Sequence, residues 1–339
     1  MQEGGVIMTC VWKPDIKAVY MANNATKAEF TAPVQSNMKN CHLIAGLSAL
    51  AWVRPTFFPD LGEHTTYSYK FYYDGISVTA GINSNLFIDN VSGLWCCATS
   101  KMSTVSEHEA WPAWVEKAFG KFCLYKIKQL ITLPDFQNAA IEPNYSNLIN
   151  GSDWGGNCVT VMKYLTGSTN FKISSPGDAP FSFRNVNYTT YYDFIRNGIS
   201  DGASIVAPKN GAMTKYPACA WTYLNETAAK QKNGGVTITY SNTTLVADHC
   251  YSLLGVYENS PYKYIVLRNP FGASDPDPQK VSLGSGTWSY TRKVYEPWGT
   301  QKLGTVPTTE SRILGNPDGI FALEQSVFRN YFEQFGFIY

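Results

Sequence analysis

Cys41 is the residue around which this sequence could build a nucleophilic centre. It directly precedes a segment in which Leu43, Leu47 and Leu50 recur at the spacing of one helical face. The dipole and backbone N–H groups of a helix start stabilise a thiolate, so the segment predicts a lowered thiol pKa and an oxyanion-binding position. The alternative is a small buried hydrophobe, the commoner use of a free cysteine.

His249 is the histidine best placed to act as a base for a thiol. It opens a predicted strand in an apolar context, and the next predicted strand ends at Asn269. If these strands pair, the asparagine oxygen can accept from one ring N–H and leave the other nitrogen to face the thiol. A cross-strand polar pair that satisfies itself is the structural alternative, and the two residues alone leave both open.

Gln35 lies six residues before Cys41, in a polar loop from which its amide could donate to an oxyanion. The remaining histidines are poorer candidates for the base. His42 points about 100° away from its neighbour on a helix. His64 lies in a predicted loop and His108 at a predicted helix start, where solvent is the expected environment.

The elements that would hold these residues divide along the chain. Helical patterns predominate in the first half and β-branched or aromatic strands in the second, which predicts an α+β fold. Three helices are predicted: one that begins at Cys41, one over residues 106–127 and one over residues 154–167. Glu107 and Glu109 lie near the start of the second, and Gly167 caps the third. The predicted strands cover residues 234–242, 249–259 and 262–270, the last two joined by a tight hairpin-like connection.

Composition limits the functional classes. Of 339 residues, 44% are hydrophobic and 16% charged, with a net charge of +1, as expected of a folded protein without a nucleic-acid or membrane-surface patch. No apolar run is long enough to span a bilayer, and the N-terminus lacks the pattern of a signal peptide. The eight cysteines are scattered without zinc spacing, so we expect them to be mostly reduced, which favours an intracellular setting while leaving the compartment open.

Six motifs in chain order resemble the catalytic core of the calpain family. Together they cover the chain from about residue 33 to its C-terminus. They are Gln35 with Asn40-Cys41-His42-Leu43, Trp111-Pro112 with Glu116-Lys117-Ala118, Tyr145 to Trp154 with Leu165-Thr166-Gly167, Asp248-His249-Cys250-Tyr251-Ser252, Leu267-Arg268-Asn269-Pro270-Phe271-Gly272, and Asp318-Gly319-Ile320-Phe321.

The resemblance implies a papain-like cysteine endopeptidase. It implies a helical subdomain at 31–167, an antiparallel β subdomain at 168–339 and a cleft between the two subdomains. Residues 1–30 fall outside the resemblance, and we expect them to form an N-terminal arm on the core. Cys41 would be the nucleophile, His249 the base and acid, Asn269 the orienting residue and Gln35 an oxyanion donor. Protein or peptide segments would be cleaved through an acyl-enzyme. We expect a monomer without nucleic-acid partners, and a chain that ends at the core.

Three residues depart from the family pattern, and two other functions remain. His42 and Phe271 stand where the family has Trp, and Asp248 stands where it has Gly. A catalytically inactive, calpain-like module that binds protein segments is the main alternative. Acyl transfer to an amine on a related fold is the other, but such enzymes generally use Asp in the position of Asn269.

Calcium is the one cofactor that the resemblance raises, as an activator and not as part of the chemistry. Glu109 lies near the position from which the family's first calcium site takes a Glu. Asp275 and Asp277 follow the strand that carries the asparagine, but they fit the family's acidic pattern poorly. The alternative for all three is an ordinary surface carboxylate.

Overall fold

The computed structural model describes most of the chain and shows helices together with several sheets, a mixed architecture that is compatible with the α+β class. Among the described residues, no helix is both long and apolar enough to cross a membrane. The described residues are 10–21, 28–36, 38–59, 61–100, 107–145, 156–200, 211–240, 245–259, 262–272, 282–283, 286–287 and 319–339.

The helices vary from single turns to just over three turns. They are α1 (Cys41–Val53), α2 (Trp111–Phe122), α3 (Leu133–Gln137), α4 (Cys158–Thr166), α5 (Tyr191–Asp193), α6 (Glu226–Lys232) and α7 (Gln325–Tyr331), with a 3₁₀ turn at Pro55–Phe57 and π-helical turns at Cys123–Ile127 and Phe194–Ile199. Helix α1 begins at Cys41 as predicted.

Helix α1 is the central helix of the protein. The sequence predicts one apolar face, but every residue from His42 to Ala51 is buried. The helix packs on α4 and on the largest sheet, and a helix enclosed in this way is apolar on all sides.

The other two predicted helices are shorter in the structure. Helix α2 begins at Trp111, with Pro112 in its first turn, so Glu107 and Glu109 precede it and do not form its N-terminus. Its last residues continue into the π-helical turn. Helix α4 ends as predicted at Gly167, which has a φ of 72° and forms the left-handed cap.

The strands form one large sheet and several two-stranded ribbons. They are β1 (Cys10–Lys13), β2 (Ala18–Val19), β3 (Pro33–Val34), β4 (Thr66–Tyr73), β5 (Ile76–Asn83), β6 (Leu86–Asp89), β7 (Thr99–Ser100), β8 (His108–Glu109), β9 (Phe171–Ser174), β10 (Phe181–Phe183), β11 (Val186–Tyr188), β12 (Gly211–Thr222), β13 (Cys250–Asn259), β14 (Tyr262–Arg268), β15 (Ser282–Leu283), β16 (Gly286–Thr287), β17 (Ile320–Glu324) and β18 (Phe332–Ile338).

The large sheet has the order β17-β14-β13-β12-β18-β9 and is antiparallel throughout. Its strands all come from residues beyond 170. The predicted pairing of β13 with β14 is confirmed by the register Ser252 to Arg268 and Asn259 to Tyr262.

The strand predicted at 234–242 is wrong over its described part, residues 234–240. The sheet offers no edge here, because β12 already pairs with β13 and β18. Glu226 binds this segment instead, accepting from the Thr239 hydroxyl at 3.0 Å and from the Tyr240 N–H at 2.9 Å.

The first half is also less helical than the sequence predicts. Strands β4 and β5 form an eight-residue antiparallel hairpin in the aromatic stretch that carried no strand prediction. Alternation of aromatic residues at Tyr67, Tyr69, Phe71 and Tyr73 was the available signal.

Six of the eight cysteines are reduced, as the expectation of mostly reduced thiols requires, and one pair is not. Cys10 and Cys96 form a disulfide that joins β1 to the segment after β6. The other six cysteines carry no disulfide in the described part of the chain. The subdomain boundaries proposed from the resemblance stay predictions.

Buried hydrogen bonds fix α1 on the large sheet. The Ser252 hydroxyl donates to the backbone oxygen of Ala45 at 2.8 Å. The fully buried Arg268 donates to the Ser48 hydroxyl at 2.6 Å and to the backbone oxygens of Thr31 and Pro33 at 2.7 and 2.8 Å. These bonds set the position of the Cys41 end of α1 relative to the strands that carry His249 and Asn269.

Candidate active site

The N-terminus of α1 is held by a buried carboxylate from α2. Asn40 precedes the helix, and its side chain makes no capping bond. Its Nδ2 donates to Glu116 Oε1, while the other oxygen of Glu116 accepts from the Ala98 N–H. Burial raises the pKa of Glu116 to about 7. The residue next to Cys41 is therefore anchored, and the first turn has no side-chain cap from Asn40.

His249 lies just before β13 and is fixed through its backbone and its ring. Its N–H donates to the Thr222 hydroxyl, and its oxygen accepts from the Thr222 N–H, both at 3.0 Å. Its Nε2 lies 3.0 Å from Asn269 Oδ1. The Phe271 N–H also donates to that oxygen, at 3.1 Å. Since Oδ1 accepts, Nε2 carries the ring proton and Nδ1 is left as the acceptor.

The backbone of Asn269 is held by the segment of the last calpain-like motif. The Asn269 N–H donates to the Gly319 oxygen at 2.8 Å. Gly319 has a φ of 72°, and a Cβ there would lie 2.7 Å from the Asn269 oxygen. Both the conformation and the close approach require glycine. Asp318, the residue before it in the motif, lies outside the described residues.

Phe271, one of the departures from the family pattern, covers the imidazole. Its ring stacks on that of His249 with centroids 4.7 Å apart and planes at 26°. Phe271 thus places an aromatic ring over the His249–Asn269 pair. The ring shields that hydrogen bond from water, which strengthens it.

Asp248 adopts the conformation that explains a glycine at this position. Its φ is 52°, in the left-handed region that Gly reaches freely and that Asp tolerates better than most residues. Its N–H donates to the Tyr223 oxygen at 2.9 Å, and its side chain is exposed. Asp248 thus takes a backbone conformation that glycine would also adopt, and it places a carboxylate next to His249 in the chain.

Cys41 and His249 meet in a cavity of about 670 Å³. Their side chains lie within interaction distance there, and Cys41 is partly exposed to the cavity. The proposed nucleophile, base and orienting residue are thus brought together. The cavity is lined by Gln35, Lys39, Cys41, His42, Gly156, Asn157, Trp221, Thr222, Asp248, His249, Cys250 and Phe271.

The pKa of the Cys41 thiol does not follow the sequence prediction. A side-chain hydrogen bond with Cys250 and burial raise this pKa, and the charge and hydrogen bond of His249 only partly oppose them. The predicted lowering of the pKa by the helix start is therefore wrong for this arrangement. The thiol is held in its protonated form until a group accepts its proton.

Gln35 lies at the cavity with its amide turned to its own loop. Its N–H donates to the Pro270 oxygen at 2.8 Å, which links this loop to the asparagine strand. Its Nε2 donates to the Met38 oxygen at 2.6 Å. The amide has a second N–H besides the one on Met38, so a role as oxyanion donor does not require that bond to break, and the role stays a prediction.

Glu109 is not the surface carboxylate of the alternative interpretation. It is 2% exposed and accepts from the Ser100 hydroxyl at 2.7 Å, and burial raises its pKa to about 7. Calcium takes six to eight oxygen ligands. Within the described ranges, no group of three or more His, Cys, Asp or Glu side chains could hold a metal ion. Asp275 and Asp277 lie outside these ranges, and we derive no step through calcium.

The remaining histidines stay outside the catalytic contacts. His42 is buried at the cavity wall, and His64 is exposed as predicted. His108 is in β8 and not at a helix start, and its Nδ1 lies 2.9 Å from an Asp15 carboxylate oxygen.

The sequence interpretation missed two kinds of functional residue. Cys250 lines the cavity and contacts the Cys41 thiol, although the sequence shows only that it follows His249. Glu116 belongs to the motif that begins at Trp111, but the sequence assigned it no function. Its distance of 76 residues from Asn40 explains why spacing alone could not connect them.

Comparison with known proteins gives no independent support for a family: no protein-family model matches the chain, and no curated protein matches it.

Proposed function

We propose that this protein is a cysteine endopeptidase with a papain-like, calpain-type core. One observation carries the proposal: His249 contacts the Cys41 thiol on one side and Asn269 Oδ1, at 3.0 Å, on the other, at the edge of an open cavity. A thiol, an imidazole and an amide in this order form the relay that activates a cysteine nucleophile.

In the proposed reaction, Nδ1 of His249 accepts the proton of Cys41 and the thiolate attacks a peptide carbonyl carbon. The oxyanion forms beside the start of α1, where the second N–H of the Gln35 amide would be a further donor. The imidazolium then protonates the leaving amine. Water, deprotonated by His249, hydrolyses the thioester and restores the thiol. Asn269 keeps the ring in position throughout.

The cavity supports an extended protein segment as substrate. Trp221 and Phe271 provide apolar walls, while Lys39 and Asp248 place opposite charges at the opening. Backbone binding along the cavity would present the carbonyl to Cys41.

The first test is hydrolysis of a fluorogenic peptide with Leu or Val two residues before the cleaved bond. It is run with excess calcium and with chelator, beside Cys41→Ala. Cleavage by the unaltered protein and none by the variant is the expected result, and cleavage in chelator would remove the calcium hypothesis. No cleavage by folded protein under either condition contradicts the proposal.

The second candidate, an inactive binding module, is favoured by one observation, the raised pKa of Cys41. Iodoacetamide alkylation against pH separates the two. An endopeptidase requires His249 to activate the thiol, so His249→Ala should slow alkylation at neutral pH. A rate that is unchanged by His249→Ala would identify an ordinary thiol and favour the binding module.

A further inference from the structure

Four of the reduced cysteines converge under the cavity. Cys41 and Cys158 are the first residues of α1 and α4, two helices that pack against each other. Cys219 and Cys250 lie on the neighbouring strands β12 and β13. Residues far apart in the sequence thus bring four thiols to one place, where α1 and α4 begin above the sheet.

The strand register places the two sheet cysteines on the same face. Cys219 is opposite Ser252, and Ser252 is two residues after Cys250 on the same strand. Side chains two residues apart point to the same side of a sheet. That side is the one covered by α1, since the Ser252 hydroxyl donates to the Ala45 oxygen.

Electrostatic interactions link the four thiols pairwise. Cys41 contacts Cys250, Cys250 contacts Cys158, and Cys158 contacts Cys219. Of the four, Cys41 and Cys250 line the cavity, whereas Cys158 and Cys219 are fully buried. A small oxidant in the cavity would therefore meet Cys41, with Cys250 as its nearest thiol.

We propose that Cys250 is a resolving cysteine, which forms a reversible disulfide with Cys41 when Cys41 is oxidised by a hydroperoxide. The inference concerns regulation of the proposed catalytic site and rests on that function for its consequence. The disulfide itself is a modification that the two contacting thiols allow whether or not the protein is a protease.

The chemistry balances in two steps. The Cys41 thiolate attacks one oxygen of hydrogen peroxide, the O–O bond breaks, and sulfenic acid and water form. The Cys250 sulfur then attacks the Cys41 sulfur, the S–O bond breaks, and a disulfide and a second water form. The peroxide is reduced, and the two thiols are oxidised together. A dithiol reductant reduces the disulfide back to the two thiols by thiol–disulfide exchange.

This disulfide would protect the nucleophile as well as silence it. A sulfenic acid without a resolving thiol goes on to sulfinic and sulfonic acids, which are not restored by ordinary thiols. Because Cys250 lines the same cavity and interacts with Cys41, resolution needs only a local approach of the two sulfurs to bonding distance, about 2.05 Å.

Peptide mapping by mass spectrometry tests the proposal without any measurement of proteolysis. The full-length protein is treated with hydrogen peroxide at alkaline pH, where the Cys41 thiolate fraction is larger, then blocked with a maleimide and digested without reductant. Each of the four cysteines falls in a different tryptic peptide. The peptides are 40–70 for Cys41, 129–163 for Cys158, 216–230 for Cys219 and 233–263 for Cys250.

We expect peptide 40–70 to be joined to peptide 233–263, and dithiothreitol to release both as thiols. In Cys250→Ala, peptide 40–70 should instead gain two or three oxygen atoms that dithiothreitol does not remove. Cys219→Ala is the matched control, because this residue lies on the same sheet face but does not contact Cys41. It should keep the link.

Two outcomes would overturn the proposal. One is a link from 40–70 to 129–163, which would make Cys158 the partner. The other is irreversible oxidation of Cys41 in the unaltered protein to the same extent as in Cys250→Ala. Failure of peptide cleavage in untreated protein would contradict the protease proposal alone and would leave this result standing.

Discussion

The base half and the nucleophile half of the site are built to different degrees. The base half is complete: His249 has its Nε2 on Asn269, its ring under Phe271 and its backbone paired with Thr222. Each contact fixes a different degree of freedom of the imidazole. This is the preorganisation that a general base requires.

The nucleophile half is held in a resting arrangement. The Cys41 thiol interacts with both His249 and Cys250, and its pKa is raised. The Gln35 amide donates one of its two N–H groups to Met38. The comparison indicates that activation lies on the side of Cys41, where a small rearrangement must free the thiol from Cys250. Variants of each half should therefore have different signatures.

Asn269→Ala should have the largest effect, because it removes the acceptor that orients the base. We expect kcat/KM for the fluorogenic peptide to fall about 10²- to 10³-fold. The variant leaves Cys41 and its contact with Cys250 unchanged, so exhaustive alkylation should still modify one accessible thiol at the site. Full kcat/KM in the folded variant would show that the asparagine does not orient a catalytic base.

Glu116→Gln tests the nucleophile half through pH. The pKa of this carboxyl is about 7 in the folded protein against an ordinary 4.5. Below pH 4.5 it is protonated in both states. Between 4.5 and 7 it ionises only in the unfolded state, so its contribution to the free energy of unfolding falls with rising pH, by about 3 kcal/mol in total. Urea unfolding measured at several pH values in this range should show a weaker dependence of the free energy of unfolding on pH in the variant.

Glu109→Gln is the matched control for that experiment. Its carboxyl has the same raised pKa, also from burial, but it contacts Ser100 and not the residue before Cys41. Both variants should flatten the pH dependence of stability. Only Glu116→Gln should lower kcat, since an amide offers one acceptor where Asn40 and Ala98 need two. Equal losses of kcat in the two variants would contradict a positioning role for Glu116.

Gly319→Ala, compared with a control glycine, separates the cost of the left-handed backbone from the cost of a steric contact with Asn269. The new Cβ would lie 2.7 Å from the Asn269 oxygen at a φ of 72°, and we expect a loss of about 2 kcal/mol in the free energy of unfolding. Gly75→Ala is the control, because Gly75 has a φ of 76° and nothing within 4 Å of the added atom. Similar losses in urea unfolding for the two variants would mean that the contact with Asn269 costs nothing.

Local patterns predicted the parts of the site that lie within single elements. The start of α1 at Cys41, the end of α4 at Gly167 and the pairing of β13 with β14 follow from apolar periodicity and turn chemistry. The closeness of His249 to Asn269 then follows from the hairpin. These features depend on contacts between neighbouring elements, which sequence spacing reports.

Contacts between distant segments could not be obtained in this way. The bond from Glu116 to Asn40, the Cys10–Cys96 disulfide and the thiol contact of Cys250 join elements whose packing depends on the whole fold. The thiol pKa was mispredicted for the same reason. The helix start is a local feature, but the opposing effect comes from a strand more than 200 residues away.

Asp248 offers the smallest and most local test. At a φ of 52°, Asp248→Gly should leave the free energy of unfolding within about 1 kcal/mol, while Asp248→Ala should lower it by about 1 kcal/mol. Asp74, exposed at a φ of 48° in the hairpin turn between β4 and β5, is the matched pair for stability. We expect Asp248→Gly to change KM, chiefly for peptides that carry a basic side chain, because the carboxylate lies at the cavity. Asp74→Gly should leave KM unchanged. If Asp248→Gly and the unaltered protein have the same KM for a basic peptide and the same KM for an acidic one, Asp248 serves the backbone turn alone. The base half of the site then depends on His249, Asn269 and Phe271 without an electrostatic contribution from Asp248.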